Sequence, residues 1–275
     1  MEVITSSNNP KVKAFAALKE KKYREQTGLY LVEGVFGVAE YIHAGAQLEA
    51  VLFDSFGANF DQIVSLVQEC EEQGVRAYEL SAQLLARVSD TEHPQGVIAV
   101  VRMPRFDAMS VLSLDGSQSQ AWRDCRDVIV IADGVRDPGN LGTMIRSADA
   151  VGARAVVVTA GSADPFAPKV VRSSAGSLAR LPVLSLDALT MLSILADTGY
   201  RLLAMEAHHG QSVFATDLLG PLAIVIGGEA SGISEQVKLA AHQAVSLPMP
   251  GLTESLNAGV TSAVMLYEAL RQRLA

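Results

Sequence analysis

The chain has 275 residues, 49% of them hydrophobic, with 22 Lys and Arg against 30 Asp and Glu, a formal net charge of −8. That is enough apolar material for one large or two modest domains, yet no apolar run approaches the roughly 18 residues of a membrane-spanning helix. The acidic sum argues against a generally basic nucleic-acid surface, because phosphate binding rests on Lys and Arg. Two cysteines, Cys70 and Cys125, lie far apart, which excludes a disulfide framework and a Cys-based zinc site.

The opening stretch MEVITSSNNPKVKAFAALKEKKYREQ is polar and basic and has no apolar signal-peptide core, so a cytoplasmic location is expected. A helix is predicted from about Pro10 to Glu25. It gathers Lys11, Lys13, Lys19, Lys21, Lys22 and Arg24 against Glu2, Glu20 and Glu25. Such a cluster is either a solvated helix face or a local RNA-facing patch on an acidic protein. Strands are predicted at 29–33, 48–54, 75–80 and 96–101, with helical patterns at 35–44, 61–72 and 81–88. Together they make an α/β unit, taken as a domain of residues 1–105. Residues 106–126 read as a linker, since Ser, Gln, Gly and Asp break the periodicity there. The single tryptophan, Trp122, falls in it and is read as packing over a domain seam rather than stacking a base.

From 127 to 275 strands and helices alternate again. Strands are predicted at 127–133, 154–161, 180–184, 200–206, 222–228 and 244–248. Helices are predicted near 141–151, 168–176, 187–197, from Ser234, and at the end of the chain. The continuous apolar run DVIVIAD suits a strand buried on both faces. The alternation implies a mostly parallel sheet covered by helices, with ligands at the carboxyl ends of its strands.

Three loops lie at such ends. The first, DGVRDPGNLGTMIRSADAVGA (133–153), has neither the GxGxxG spacing of a dinucleotide site nor a phosphate-loop pattern. In it Asn140 reads as a helix-opening cap and Arg146 as a surface cation, unless both serve a site. The second, IVIGGEASGIS (224–234), follows a buried strand with two glycines and Glu229. That carboxylate is either a charge at a helix start or part of a site, and Ser231 lacks the spacing of a hydrolase nucleophile. The third, PMPGLTESLNAGVTSAVMLYEALRQ (248–272), opens with Ser255, read as the cap of the last helix, and Asn257. Leu256, Val260, Val264, Tyr267 and Leu270 read as that helix's apolar face. Leu247 and Leu256 on their own read as core. His93, His208 and His209 read as surface-loop residues.

Taken in this order, the three loops, with KVVRSSAGSLARLPV (169–183), closely resemble the SpoU (TrmH-type) family of S-adenosylmethionine-dependent RNA 2′-O-ribose methyltransferases, within the SPOUT superfamily. The N-terminal ITSSNNPKVKAFAALKEKKYREQTGLYLVEG resembles the small substrate-binding domain of many members, which has the α/β fold of certain RNA-binding ribosomal proteins. The resemblance implies a SPOUT domain over 127–275 with a parallel sheet and a deep trefoil knot. It implies S-adenosylmethionine as cofactor, no metal, and an active site completed across a homodimer interface. Asn140, Arg146, Glu229, Ser255 and Asn257 match the family's polar active-site positions. Thr159, Gly161, Gly227, Gly228, Leu247, Met249 and Leu256 match its cofactor-binding positions.

The expected substrate is RNA, ribosomal RNA before transfer RNA, and no membrane. Arg146, assigned in this family as the base, is read here as a hydrogen-bond donor to phosphate and developing alkoxide, because a guanidinium stays protonated. A non-catalytic RNA-binding relative is the alternative from another class, and the intact polar set argues against it. A nucleotide-dependent oxidoreductase is disfavoured by the missing GxGxxG spacing.

Overall fold

The computed structural model describes residues 1–55, 59–114 and 125–275. These divide into one unit of Met1–Pro104 with Phe166–Ala179 and a second of Arg105–Pro165 with Arg180–Ala275. No helix among the described residues is long and apolar enough to cross a membrane.

The first unit runs β1 (Glu2–Ile4), α1 (Pro10–Ala17), α2 (Lys21–Thr27), β2 (Leu29–Glu33), α3 (Val35–His43), β3 (Leu48–Phe53), α4 (Phe60–Glu72), β4 (Arg76–Leu80), α5 (Ala82–Val88) and β5 (Val97–Arg102). Its sheet has the order β1-β4-β3-β5-β2, parallel except at β5, which pairs antiparallel with both neighbours. Val12, Leu31, Leu52, Leu85, Ile98 and Val100 are among its core residues. The helix expected over 10–25 is two helices. Arg24, buried, turns its guanidinium back onto the carbonyls of Leu18 and Lys19, which the break in the helix leaves free. The short edge strand β1 has no periodicity to announce it.

This changes the basic cluster. Arg24 is internal, and Lys11 bonds Glu2 at 2.6 Å and lies 4.6 Å from the centre of the Tyr78 ring. Lys19 donates to the carbonyls of Arg87 and Ser89, and Lys21 lies 3.6 Å from Glu25. Lys13 and Lys22 remain exposed without an ion pair among the described residues, Lys22 lying beside the Tyr23 ring.

The second unit begins with α6 (Ala108–Leu112), capped by Asp107, with Leu112 fully buried in that unit's core. This part of the expected linker is therefore structured, because Leu112, with the partly buried Ala108, Val111 and Leu114, docks it on the core. Residues 115–124, with Trp122, lie outside the described residues. There follow β6 (Val128–Asp133), α7 (Pro138–Ala150) and β7 (Ala155–Val158). The chain then contributes α8 (Pro168–Ser173) and a 3₁₀ turn to the first unit, where the Phe166 ring lies 4.9 Å from Tyr30. Sequence alternation places this segment with the second domain, whereas its contacts group it with the first unit. The chain continues as β8 (Val183–Ser185), α9 (Ala188–Thr198), β9 (Arg201–Met205), β10 (Gln211–Ser212), β11 (Leu222–Gly227), α10 (Glu235–Ala240), β12 (Gln243–Ser246) and α11 (Ala258–Leu274).

The second unit's sheet is parallel throughout, in the order β10-β12-β9-β11-β6-β7-β8. Every residue of β6 is buried, as a strand with helices on both faces requires. Leu112, Met191, Leu195 and Val237 of α6, α9 and α10 cover Ile129, Ile131, Val157 and Val225. α7 packs along α11, and both lie against central strands. From β6 the chain proceeds to β7 and β8 on one side and later fills the other side, so β6 and β11 flank the point where strand order reverses. Side chains must be absent where their ends meet. A Cβ on Gly228 would lie 2.3 Å from the Gly134 carbonyl oxygen, and one on Gly227 would lie 2.4 Å from Gly232.

α11 is anchored at its far end by a buried ion pair. Arg273 reaches Asp127 at 3.2 Å with its side chain fully enclosed, and it also donates to the carbonyls of Leu218, Gly220 and Ala269. Arg273→Met removes the cation from a buried carboxylate and is expected to cost about 3 kcal/mol or more in urea denaturation. Asp127→Asn in the same chain is expected to return part of that loss. Gly228→Ala is expected to lower the thermal midpoint well below that of Gly251→Ala, whose added methyl meets nothing within 4 Å. Equal midpoints would show that the loop yields freely.

Candidate active site

At the carboxyl end of β6, Asp133 is 4% exposed. Its two oxygens accept from the Thr159 hydroxyl at 2.6 Å and from the Ser234 amide at 2.7 Å. Its backbone carbonyl accepts from the Gly228 amide at 3.0 Å. One buried carboxylate thus ties together the chain ends that follow β6, β7 and β11, and the two donors compensate its lost hydration.

The polar centre lies next to it. Asp137 caps α7 by accepting from the Asn140 amide at 2.8 Å, with Pro138 as the first helical residue. Asn140 is therefore inside the first turn, not the cap, and its buried side chain is free for other work. Its Nδ2 donates to Glu229 Oε1 at 2.7 Å. Asn257 Nδ2 donates to Asn140 Oδ1 at 2.7 Å and to Glu229 Oε1 at 3.3 Å. Asn257 also caps α11, its Oδ1 accepting from the Val260 amide. The capping role expected of Ser255 belongs to Asn257, because the helix starts at 258 and not two residues earlier. Glu229 lies six residues before α10, too far to serve that helix, so its charge belongs to this cluster.

A cavity of about 190 Å³ adjoins the cluster, lined among others by Ile226, Gly227, Gly228, Leu247, Met249, Ser255 and Leu256. Leu256 is 40% exposed and is not core, while Leu247 is both buried and part of the wall. The charged groups on this wall are carboxylates, Glu206 and Glu229. Glu206 pairs with Lys238 at 2.9 Å, and that bond raises the lysine ammonium's pKa above its ordinary value. A second cavity, of about 340 Å³, shares Gly228 and Glu229 with the first and is walled by residues 134–138, Asn140, Ala230 and Ser231.

Of the residues singled out from sequence, Asn140, Glu229 and Asn257 meet in one hydrogen-bonded cluster. Ser255, Gly227, Gly228, Leu247, Met249 and Leu256 meet on the first cavity's wall. Three do not join them. Thr159 is buried and spends its hydroxyl on Asp133, and Gly161 is exposed and lines neither cavity. Arg146 is exposed on α7, lines neither cavity, and makes no ion pair or hydrogen bond among the described residues. His93, His208 and His209 are exposed, and no group of three metal-ligating side chains occurs among the described residues.

Sequence reasoning passed over Asp133, Asp137 and Glu206. The first had a signal, an acidic residue ending an otherwise apolar buried strand. The second stands directly before the helix-opening Pro138, an N-cap pattern.

The apolar face predicted for the last helix is not the buried one: Leu256 precedes the helix, and Val264 and Leu270 are only half-buried. Val260 and Tyr267 are 46% and 54% exposed, whereas Ala258, Ser262, Met265, Leu266 and Ala269 form the buried face. At the start of the helix the inward residues, Ala258, Gly259 and Ser262, are small, where α11 packs closely on α7. A Cβ on Gly259 would lie 2.9 Å from Thr143 Cβ.

Comparison with known proteins agrees with this architecture. Residues 127–267 match the model of the SpoU rRNA Methylase family, and residues 9–99 match an MRM3-like substrate binding domain. The 23S rRNA (guanosine(2553)-2′-O)-methyltransferase RlmP of Bacillus subtilis is 30% identical over 97% of this chain and 98% of its own length. The 23S rRNA (uridine(2479)-2′-O)-methyltransferase of Streptomyces viridochromogenes is 30% identical over 98% of this chain and 92% of its own. A crystal structure of an AdoMet-bound rRNA methyltransferase from Sinorhizobium meliloti superposes with a TM-score of 0.86 at 25% identity, covering 100% of this chain and 99% of that one. With the family match spanning half the chain and relatives aligned along nearly all of it, the protein belongs to the SpoU rRNA methylase family.

Proposed function

We propose that this protein transfers a methyl group from S-adenosylmethionine to a ribose 2′-hydroxyl of ribosomal RNA. The observation that carries the reading is the Asn140–Glu229–Asn257 cluster set against a cavity with an apolar and acidic wall. The wall suits the cofactor. Leu247, Met249, Leu256 and Ile226 offer apolar faces to an adenosyl group, glycine backbone allows close approach, and Glu229, which has no cationic partner among the described residues, favours a cation. When bound, the cofactor supplies an electrophilic methyl group on a positively charged sulfur.

The chain's own residues hold, orient and polarise. Gly227, Gly228, Leu247, Met249 and Leu256 would hold the cofactor, with Thr159 and Gly161 supporting the loop behind. Asn140 and Asn257 keep Glu229 in place, and such pre-set polar groups need no rearrangement when charge develops. Ser255 faces the same space. Arg146 donates to the acceptor's phosphate or to its developing alkoxide, since a guanidinium does not give up its proton. The two relatives quoted act on guanosine and uridine. What their acceptors share is the ribose, and the cluster contains nothing designed around one base.

Three further features belong to the proposal. The chain works as a homodimer. The exposed Val260 and Tyr267 of α11, beside α7, supply an apolar face for a second copy, and Arg146, which lines neither of its own chain's cavities, completes the partner's site. The C-terminal part is threaded as a trefoil knot, supported by the return of residues 247–257 to the loops after β6 and β11 and by the side-chain-free approach of Gly228 to Gly134. Residues 1–105 bind the RNA in the cytoplasm, with exposed Lys13 and Lys22 as candidate phosphate contacts.

The test is transfer of tritiated methyl to ribosomal RNA lacking its native modifications, followed by alkaline hydrolysis. Alkali-resistant label is expected, reduced about 10²-fold in kcat by Arg146→Ala or Asn140→Ala. Label on transfer RNA alone would redirect the substrate. S-adenosylmethionine binding with no transfer to any RNA would favour a non-catalytic binder. Lys13→Glu with Lys22→Glu is expected to weaken RNA binding and flatten its salt dependence while cofactor affinity stays constant. Unchanged RNA affinity would remove those lysines from the interface.

A further inference from the structure

The second cavity differs from the first in having a cationic side chain on its wall. Three of its lining residues are ionic, Arg136, Asp137 and Glu229. Asp137 is engaged in capping α7, and Glu229 Oε1 is engaged by Asn140 and Asn257. Arg136 is exposed and has neither an ion pair nor a hydrogen bond among the described residues. The first cavity has carboxylates on its wall and no cation. The polar cluster therefore stands between a cavity suited to a cation and one that presents an unengaged guanidinium.

Resting on the methyl-transfer reading, we infer that Arg136 binds an RNA phosphate adjacent to the ribose that is methylated. A ribose 2′-hydroxyl is vicinal to the carbon that carries the 3′-phosphate. A ribose presented to the cluster thus brings a phosphate into the space that Asn140 and Glu229 share with Arg136. The planar guanidinium matches two phosphate oxygens at once. The cofactor's carboxylate is the other anion within the reaction, but Arg136 does not line the cavity whose apolar and acidic wall fits that cofactor.

The experiment compares wild type, Arg136→Gln and Arg136→Lys in steady-state methyl transfer to an unmodified ribosomal RNA fragment across a salt series. Cofactor affinity is measured by calorimetry, and thermal midpoints confirm that all three chains fold. Arg136→Gln is expected to raise KM for RNA roughly tenfold, as loss of a charge-assisted hydrogen bond does. It should lower the slope of log affinity against log salt by about one and leave cofactor affinity unchanged. Arg136→Lys should restore the salt slope and recover part of the KM. Unchanged RNA parameters in Arg136→Gln, with an active wild type, overturn this inference alone. Weakened cofactor binding with unchanged RNA parameters assigns the guanidinium to the cofactor's carboxylate and also overturns it. A wild type that transfers no methyl to RNA overturns both this inference and the reading beneath it.

Discussion

The carboxylate of Asp133 is buried at the end of the central strand, and the geometry around it follows from how that charge is satisfied. It takes one hydrogen bond from the Thr159 hydroxyl and one from the Ser234 amide, while its backbone carbonyl takes the Gly228 amide. A buried carboxylate is tolerated only when hydrogen-bonded, so these donors are obliged to converge. Their convergence brings the chain after β7 and the chain after β11 to the end of β6. The turns after β6 and β11 wall the second cavity, and the turn after β11 also lines the first.

Glycine makes the convergence close. Gly228 packs on the Gly134 carbonyl and Gly227 on the backbone at Gly232 with no space for a side chain. This approach lets Glu229, one residue on, reach Asn140 across the switch point of the sheet. The third member comes from the far end of the sequence. Asn257 satisfies the start of α11 with its oxygen and the cluster with its nitrogen. The position of the last helix and the geometry of the cluster are thus one constraint, and Arg273 with Asp127 secures the other end of the same helix.

The sequence was most legible where a local rule sufficed. Parallel strands with continuous apolar runs, and helices between them, were read to within a few residues over most of the chain. Misreadings arose where one side chain had two possible partners. Arg24 reads as a surface cation because nothing local shows that it will fold back onto the carbonyls of Leu18 and Lys19. Ser255 and Asn257 are both good helix caps, and which of them acts depends on where α11 begins, which is set by its packing on α7. The stripe of Val260, Val264 and Tyr267 has helical spacing, but spacing does not say which face turns inward. The close approach of Thr143 to Gly259 turns the small residues of the first turns inward, with Met265 and Leu266 following on the same face.

The amino-acid sequence by itself determined an α/β chain of alternating strands and helices, the three glycine-bearing loops at strand ends, and the family those loops resemble. These depend on periodicity and on residue types at fixed spacing, which are properties of neighbours in the chain. The tertiary structure alone decided that Asn140, Glu229 and Asn257 share hydrogen bonds across 117 residues of sequence. It also decided that Asp133 ties the loops together, that Phe166–Ala179 packs with the first unit, and that Arg136 lines a cavity with its charge unengaged. Each of these follows from satisfying a polar group or excluding a side chain at a meeting of distant segments, and no local pattern encodes where such segments meet.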